Sequence, residues 1–535
     1  MGKTISLTRF KMRFALSLCS LLSFVPPDPV SAQNVDKPIW PTHGWQTSAP
    51  EEQGMDSSAL AKLVTDGENR NYDSLLIVRH GRLVVEAYYA PYTGDIPHQM
   101  FSSTKGVTGT LLGMVYKDGL LDRLDHPVLD FFTDRQIANI DDKKRAITIQ
   151  NLLDMTSGLD WDQGFEGGKE QSDNDKNGSS NWTQFILDRP MAHSPGEVFN
   201  YNNGNPDLVS AIVTKLTDRL AEDYARQKLF DPLGVVDWHW DRDPQFLTIG
   251  EGMLYLLPRD MAKLGYLYLR HGEWDGRQLL PNGWADVLSH ALVNMHASWD
   301  ANLSYSNFFW VFPDRRAYMF NGKNGQYIVV FPDQDIVAVT TARKHPSMEG
   351  LIDAISGAVK SESALPPNAN AAEQLANAIK DAATEKLTAV GPTPEIATAI
   401  SGKTFKFADN GLGLRSLTLY LSGARPHFEF ERYYHDPLIP SVKYDVPIGL
   451  DGFYRRGPPL ISGFTAVFPG HNPNEIPVAK GRWADAQTFV IDTQVLGYGE
   501  QRQITLSFSG TKLNFRIAPA VGEGRKGSAD GEQSD

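Results

Sequence analysis

Between Trp40 and Glu362 the apolar residues recur at two different spacings. Leu75 to Tyr89 alternate apolar and polar positions around His80-Gly81, which predicts a hairpin. After Ser102, the residues Val107, Leu111, Leu112, Val115 and Tyr116 fall on one side at helical spacing. Gln326 to Phe331 and Ile336 to Thr341 read as strands joined by Pro332-Asp333-Gln334-Asp335, and a helix from about Met348 to Lys360 follows. Strands, then helices, then strands predict an α/β (α+β) layered domain over residues 40–362 with an antiparallel sheet. Around Pro366-Pro367 the composition turns Ala/Asn/Glu-rich, which predicts a linker over 363–393 with a helix from Ala371 to about Lys386. Beyond Pro394 the period is two. Leu417 to Leu421, Thr488 to Asp492, Ile504 to Phe508 and Leu513 to Ile517 read as half-buried strands of a small all-β domain over 394–517. The Gly-rich, charged residues 518–535 are expected to form a disordered tail.

Length and charge narrow this picture. A chain of 535 residues exceeds the size at which one core usually stops growing, so two domains are expected. A net charge of -13 argues against nucleic-acid binding, which needs a basic stripe. The first 32 residues stand apart. Lys3, Arg9, Lys11 and Arg13 precede the apolar run Phe14 to Phe24, and Val30-Ser31-Ala32 closes it, which reads as a cleaved signal peptide. The run is far shorter than the ~20 residues that span a bilayer, so no stable membrane anchor is expected and the mature protein is placed in the periplasm or outside the cell. Cleavage would remove four basic residues and Asp28, leaving a charge of -16. It would also remove Cys19, the only cysteine, which excludes a cysteine nucleophile, a disulfide framework and thiolate-held zinc from the mature chain. The thirteen histidines show no tight ligand spacing, so neither a metal nor a cofactor is expected.

Ser102-Ser103-Thr104-Lys105 stands where the apolar helix begins. One turn puts both side chains on one face, where an amine can polarise a hydroxyl that is a poor nucleophile alone. The same spacing occurs at Ser509-Gly510-Thr511-Lys512, inside a hairpin pattern, where it reads as structural. Two further stretches set the first copy apart: Tyr201-Asn202-Asn203, a Y-x-N about a hundred residues on, and Lys323-Asn324-Gly325-Gln326, a K-x-G just before a strand.

On these three motifs the chain resembles the β-lactamase and penicillin-binding serine hydrolase superfamily, most closely its class C-like branch of esterases, D-amino-acid peptidases and aminohexanoate-dimer hydrolases. Leu152 to Leu159, Asp118 to Asp122 and Pro258 to Gly265 extend the likeness over roughly Trp40 to Glu362. The resemblance implies a β-lactamase-like domain whose sheet is flanked by helices and a helical subdomain. It implies that Ser102 is acylated, that Lys105 and Tyr201 move the proton as a pair, and that Lys323 supplies positive charge. It further implies that Asn203 orients substrate and Lys105, and that backbone N–H groups of Ser102 and Gln326, beside Gly325, form the oxyanion hole. Small esters, amides or peptides are the implied substrates. A D,D-peptidase or β-lactamase, and a non-catalytic protein binding peptides or peptidoglycan, are the alternatives. Asn324 stands where β-lactamases usually carry a hydroxyl residue, which weakens the antibiotic-hydrolysing reading, and no G-x-S-x-G supports an α/β-hydrolase.

Tyr305-Ser306-Asn307 is a second literal Y-x-N, but it lies in an aromatic stretch that reads as a buried strand. The segment Asp162 to Ser180 is rich in carboxylates, among them Glu166, Glu170 and Asp173. It reads first as a solvated loop, and second as a lid favouring substrates with a cationic end. Trp161, Trp182, Tyr305 and Trp310 read as core, with an acyl pocket as the second reading. Gly250-Glu251-Gly252 reads as a packing element ahead of the helix at Pro258. The all-β domain could cap the site, pair subunits or stabilise the first domain, and the oligomeric state is left open.

Overall fold

The computed structural model describes residues 38–164, 168–290, 292–298, 300–436, 439–459, 476–521 and 526–534. The segment read as a signal peptide and the acidic Glu166 lie outside the described residues. Ile39–Asp535 form one compact unit that contains two large hydrophobic cores.

The first core is built on a nine-stranded sheet. Its centre is antiparallel: β1 (Tyr72–Arg79) turns at His80-Gly81, both with positive φ, into β2 (Arg82–Tyr88). β1 also pairs with β5 (Ile336–Ala342), which pairs with β4 (Gln326–Phe331), and this with β3 (Ala317–Gly322). Every residue of β3, β4 and β5 is buried, because helices cover both faces. On one face lie α1 (Ser57–Asn69) and α5 (Met348–Ala358), where the Tyr89 hydroxyl donates to the Val64 carbonyl at 2.7 Å. On the other lie α2 (Thr104–Lys117) and α4 (Pro258–Leu269), where Tyr268 stacks edge-on against Phe320. Among the helices between them, α3 (Gly204–Thr217) packs on α2. The helix expected inside a linker, α6 (Ala369–Ala382), is instead docked on α1. Leu375 is buried in the first core, and the Ala382 carbonyl accepts from the Ala90 N–H at 2.9 Å.

The second core fills a ten-stranded antiparallel sheet that curls into a barrel-like form. Phe428 and Phe430 on one strand, and Ile504, Leu506 and Phe508 on another, face inward with period two. Gly449 bridges to the strand Ile476–Trp483 through its N–H to Ala479 and its carbonyl from Gly481, which brings the sheet's ends together. The disordered tail expected over 518–535 is corrected by the structure. Lys512 to Val521 is one continuous strand, and β6 (Gly527–Gln533) lies between it and Thr404–Phe407. Backbone pairing on both sides holds β6, and Ala529 is its buried apolar contact, so hydrophobic alternation gave no sign of it. The barrel interior leaves an apolar cavity of about 60 Å³ between Leu414, Phe430, Ile504 and Phe515, far below the ~300 Å³ of an ordinary small-molecule site.

The barrel touches the first core through a third apolar cluster of Tyr92, Ile96, Ile476, Val478 and Leu496. Next to it the Gly497 carbonyl accepts from the Gln99 N–H at 2.7 Å, three residues before Ser102.

Candidate active site

Ser102 sits on a tight turn, Phe101–Ser103, that runs directly into α2. Phe101 is held in the left-handed region at φ 47°, a conformation that costs a non-glycine residue about 1–3 kcal/mol. Two backbone contacts set this approach: the Met100 N–H donates to the Leu254 carbonyl, and the Gln99 N–H to Gly497. Ser103 then anchors the turn to the sheet, its hydroxyl donating to the Gln326 carbonyl at 2.6 Å. Ser102 is half-buried and open to a substrate, while Ser103 is fully buried.

One helical turn on, Lys105 is wholly buried. Its Nζ lies 2.7 Å from Ser102 Oγ and 2.9 Å from the Glu251 carbonyl, with the Glu251 carboxylate at 3.8 Å. The ring of Tyr201, itself buried, is centred 5.2 Å from the same Nζ. Tyr201 stands in the loop ahead of α3 and packs edge-on against Tyr305 and Trp310. The geometry thus separates the two Y-x-N copies. Tyr305 is fully buried behind Tyr201, and burial, with the neighbouring Tyr201 and Asp154 adding to it, raises its phenol far above the ordinary value.

Asn203 caps the start of α3 and is buried. Its Nδ2 donates to both carboxylate oxygens of Asp173 at 3.2 Å, its backbone N–H donates to Gln163 Oε1, and its Oδ1 has no protein partner among the described residues. The amide that was expected to orient Lys105 therefore has its donor on Asp173.

Lys323, Asn324 and Gly325 form the turn between β3 and β4. Lys323 is exposed there, and Gln326 begins β4 beside Ser103. Gly325 adopts φ 95°, and a Cβ on it would lie 2.5 Å from Pro346 Cδ, so no other residue fits this turn. Asn324 Nδ2 donates to the Gly499 carbonyl at 3.2 Å. The side chain that replaces the usual hydroxyl residue thus holds a turn of the barrel. That turn carries Tyr498, half-buried, whose ring lies 6.1 Å from Phe101.

The segment read as a solvated loop is corrected. It contains a helix, Gln171–Gly178, whose Lys176 is fully buried. Lys176 Nζ meets Asp207 at 2.8 Å, Glu251 at 3.2 Å and Asp173 at 3.7 Å, and lies 4.3 Å from the centre of the Trp182 ring. Burial works against its charge, but Asp207, Glu251 and Asp173 outweigh it and hold the Lys176 pKa above its ordinary value. The stretch Gly250-Glu251-Gly252 does pack closely: a Cβ on Gly250 would meet the Pro206 carbonyl at 2.1 Å. It also delivers Glu251 to Lys105, a role its own sequence does not signal. Of the four aromatic candidates, Trp161, Trp182 and Tyr305 are buried, and Trp310 is half-buried against Tyr201.

Chemically, this arrangement joins a reachable hydroxyl to a buried amine, with a phenol and a carboxylate on the amine's other sides. It is a site for a proton to leave Ser102 as its oxygen attacks.

A family model described as Beta-lactamase matches residues 60–359, more than half of the chain. Protein flp of Staphylococcus aureus (strain MW2) is 27% identical over 168 residues, 30% of this chain and 33% of that protein. A 6-aminohexanoate-dimer hydrolase of Paenarthrobacter ureafaciens is 23% identical over 261 residues, 45% of this chain and 63% of that protein. The chain thus spans less than two thirds of either relative. Among solved structures, the octameric penicillin-binding protein homologue from Pyrococcus abyssi covers 89% of this chain and 100% of its own, at 15% identity and a TM-score of 0.45.

Proposed function

The chain belongs to the Beta-lactamase family, a family of hydrolases, and from that premise we propose that it is an exported serine hydrolase that cleaves small esters or amides through a Ser102 acyl-enzyme. The observation that carries this reading is the 2.7 Å contact between the Lys105 amine and the Ser102 hydroxyl in a site that also holds Tyr201.

In the proposed reaction Ser102 Oγ bonds to the substrate carbonyl carbon as its proton passes to the Lys105/Tyr201 pair. The carbonyl oxygen takes up the negative charge, stabilised by the backbone N–H groups of Ser102 and Gln326. The same proton is then given to the leaving oxygen or nitrogen as its bond to carbon breaks, and a water molecule releases the acyl group by the reverse sequence. Lys323, exposed on the turn at the head of β4, adds positive charge at the rim. The relative named for hydrolysing an aminohexanoate dimer supports small amides among the substrates. Export rests on the basic and apolar pattern of the first 32 residues. In this reading the barrel turn Gly497 to Gly499 forms one wall of the site, because it bonds to Gln99 on one side and Asn324 on the other.

The test is intact-mass spectrometry after brief exposure to a fluorophosphonate, with a Ser102→Ala control. One adduct on the wild type, absent from the control, is expected. Its absence from both proteins would move the assignment to a non-catalytic binding protein.

A further inference from the structure

Lys105 is surrounded by acceptors. Its Nζ faces Ser102 Oγ at 2.7 Å, the Glu251 carbonyl at 2.9 Å and the Glu251 carboxylate at 3.8 Å. A carbonyl and a carboxylate can only accept, so both must be met by N–H bonds of the lysine. An ammonium has three such bonds for three acceptors. A neutral amine has two, and must also turn its lone pair to the serine proton if it is to act as a base.

Glu251 is itself held from behind. Lys176 Nζ lies 3.2 Å from one of its oxygens, while the Lys105 contact is made by the other. The groups facing this carboxylate are Lys105 from α2, Lys176 and Asp173 from the helix Gln171–Gly178, and Asp207 from α3, with Asp243 beyond Asp207. Three carboxylates thus surround Lys176 and one of them reaches Lys105. The network also extends to Asn203 through Asp173.

We infer that Glu251, braced by Lys176, is a positioning residue that keeps Lys105 in its ammonium form, so that Tyr201 receives the Ser102 proton. The inference rests on the acyl-enzyme reading above. In that step the Ser102 O–H bond breaks, its proton goes to the Tyr201 phenolate oxygen, and the Oγ–carbon bond forms as the carbonyl electron pair moves to oxygen. The Tyr201 proton then leaves with the departing group. Lys105 stays charged throughout, donating to Ser102 Oγ and stabilising the phenolate whose ring lies 5.2 Å away.

The experiment measures the rate of Ser102 labelling by a fluorophosphonate from pH 5 to 10 in the full-length wild type, Glu251→Gln and Glu251→Asp, with thermal melts to show that each is folded. Removing the charge at Glu251 weakens Lys105's hold on its proton. The acidic limb of the Glu251→Gln profile is expected to move down by about one pH unit. Its plateau should fall about tenfold, because the proton then settles on Tyr201 at the expense of the ammonium–phenolate form. Glu251→Asp should restore part of both. A limb that moves while the plateau holds or rises makes Lys105 the base and overturns the inference. An unmoved limb reduces Glu251 to a structural role and overturns it too. An unlabelled wild type overturns the acyl-enzyme reading and this inference together. The wild type alone provides a second measurement, independent of any variant's folding: the NMR shift of the Lys105 side-chain nitrogen. It should remain that of an ammonium above the labelling limb, and its titration along the limb would overturn the inference.

Discussion

The chain carries the same four-residue spacing twice, and the two copies have opposite fates. Ser102 and Lys105 stand one turn apart on a helix start, with their side chains in contact at 2.7 Å inside the first core. Ser509 and Lys512 face each other as the last pair of a hairpin in the barrel, where Gly510 at φ 59° makes the turn and all four residues are exposed. The difference teaches what the motif requires. Spacing places two groups together only where a helix supplies the rotation, and the pair becomes a nucleophile and its partner only where burial holds the amine among acceptors.

The sharpest way to break this comparison is to remove each lysine in turn. Lys105→Met should lower hydrolysis of an activated ester by about 10²–10⁴-fold, and Lys512→Met should leave it within about twofold. Similar losses in both would remove the distinction. The two tyrosines offer a second contrast. Tyr201→Phe should cost about 10²-fold in kcat, because the proton loses its carrier. Tyr305→Phe, which removes a buried hydroxyl without a hydrogen-bond partner among the described residues, should cost less than about threefold. A larger loss at Tyr305 would exchange their roles.

A smaller effect is expected at the barrel turn. Tyr498→Ala opens the wall beside Phe101, so the ratio of kcat/KM for a bulky ester to that for an acetyl ester should rise about three- to tenfold. An unchanged ratio would show that Tyr498 does not meet the substrate.

The smallest effect concerns the scaffold that makes the first copy competent. Asp73 and His98 are both fully buried just outside the site. Burial pushes the Asp73 carboxyl up to about 7, although the Arg343 guanidinium lies 2.8 Å away, and burial pushes the His98 imidazole down to about 3. The signs oppose. The raised carboxyl contributes stability in full below its ordinary value of 3.8 and loses it as pH rises through about 7. The depressed imidazole contributes stability above 6.5 and loses it as pH falls towards about 3. Between about pH 4 and 6.5 the two slopes, each at most about 1.4 kcal/mol per pH unit, cancel. In His98→Gln only the carboxyl's slope is left, so the variant's Tm should gain on the wild type as pH is lowered from 6.5 to 4. Parallel profiles would show that His98 is not buried in its neutral form.

Much of this was legible along the chain. The hairpin at His80-Gly81, the strands flanking Pro332, and the order of Ser102, Lys105 and Tyr201 all follow from local pattern. Glu251 and Lys176 did not. They lie 75 residues apart in sequence and 3.2 Å apart in space, and neither periodicity nor motif records a contact of that range. Lys176 stands amid charged and polar neighbours, so its segment reads as solvated, yet Asp207 and Glu251 satisfy it inside the fold. β6 was hidden for another reason: its Gly and acidic residues carry no alternation, and its place is set by the open backbone edges of its neighbours.

That last strand has a consequence for how the protein is made. Translation delivers Thr404–Phe407 more than a hundred residues before the strand that pairs with its second edge. A chain built only as far as Val521 presents two unpaired edges to its surroundings, each a template for the edge of another chain. The barrel can be closed only when the final residues have left the ribosome, so the cell must shield nascent chains through the last moments of synthesis, and a premature stop there would yield an aggregating product in place of a shortened enzyme.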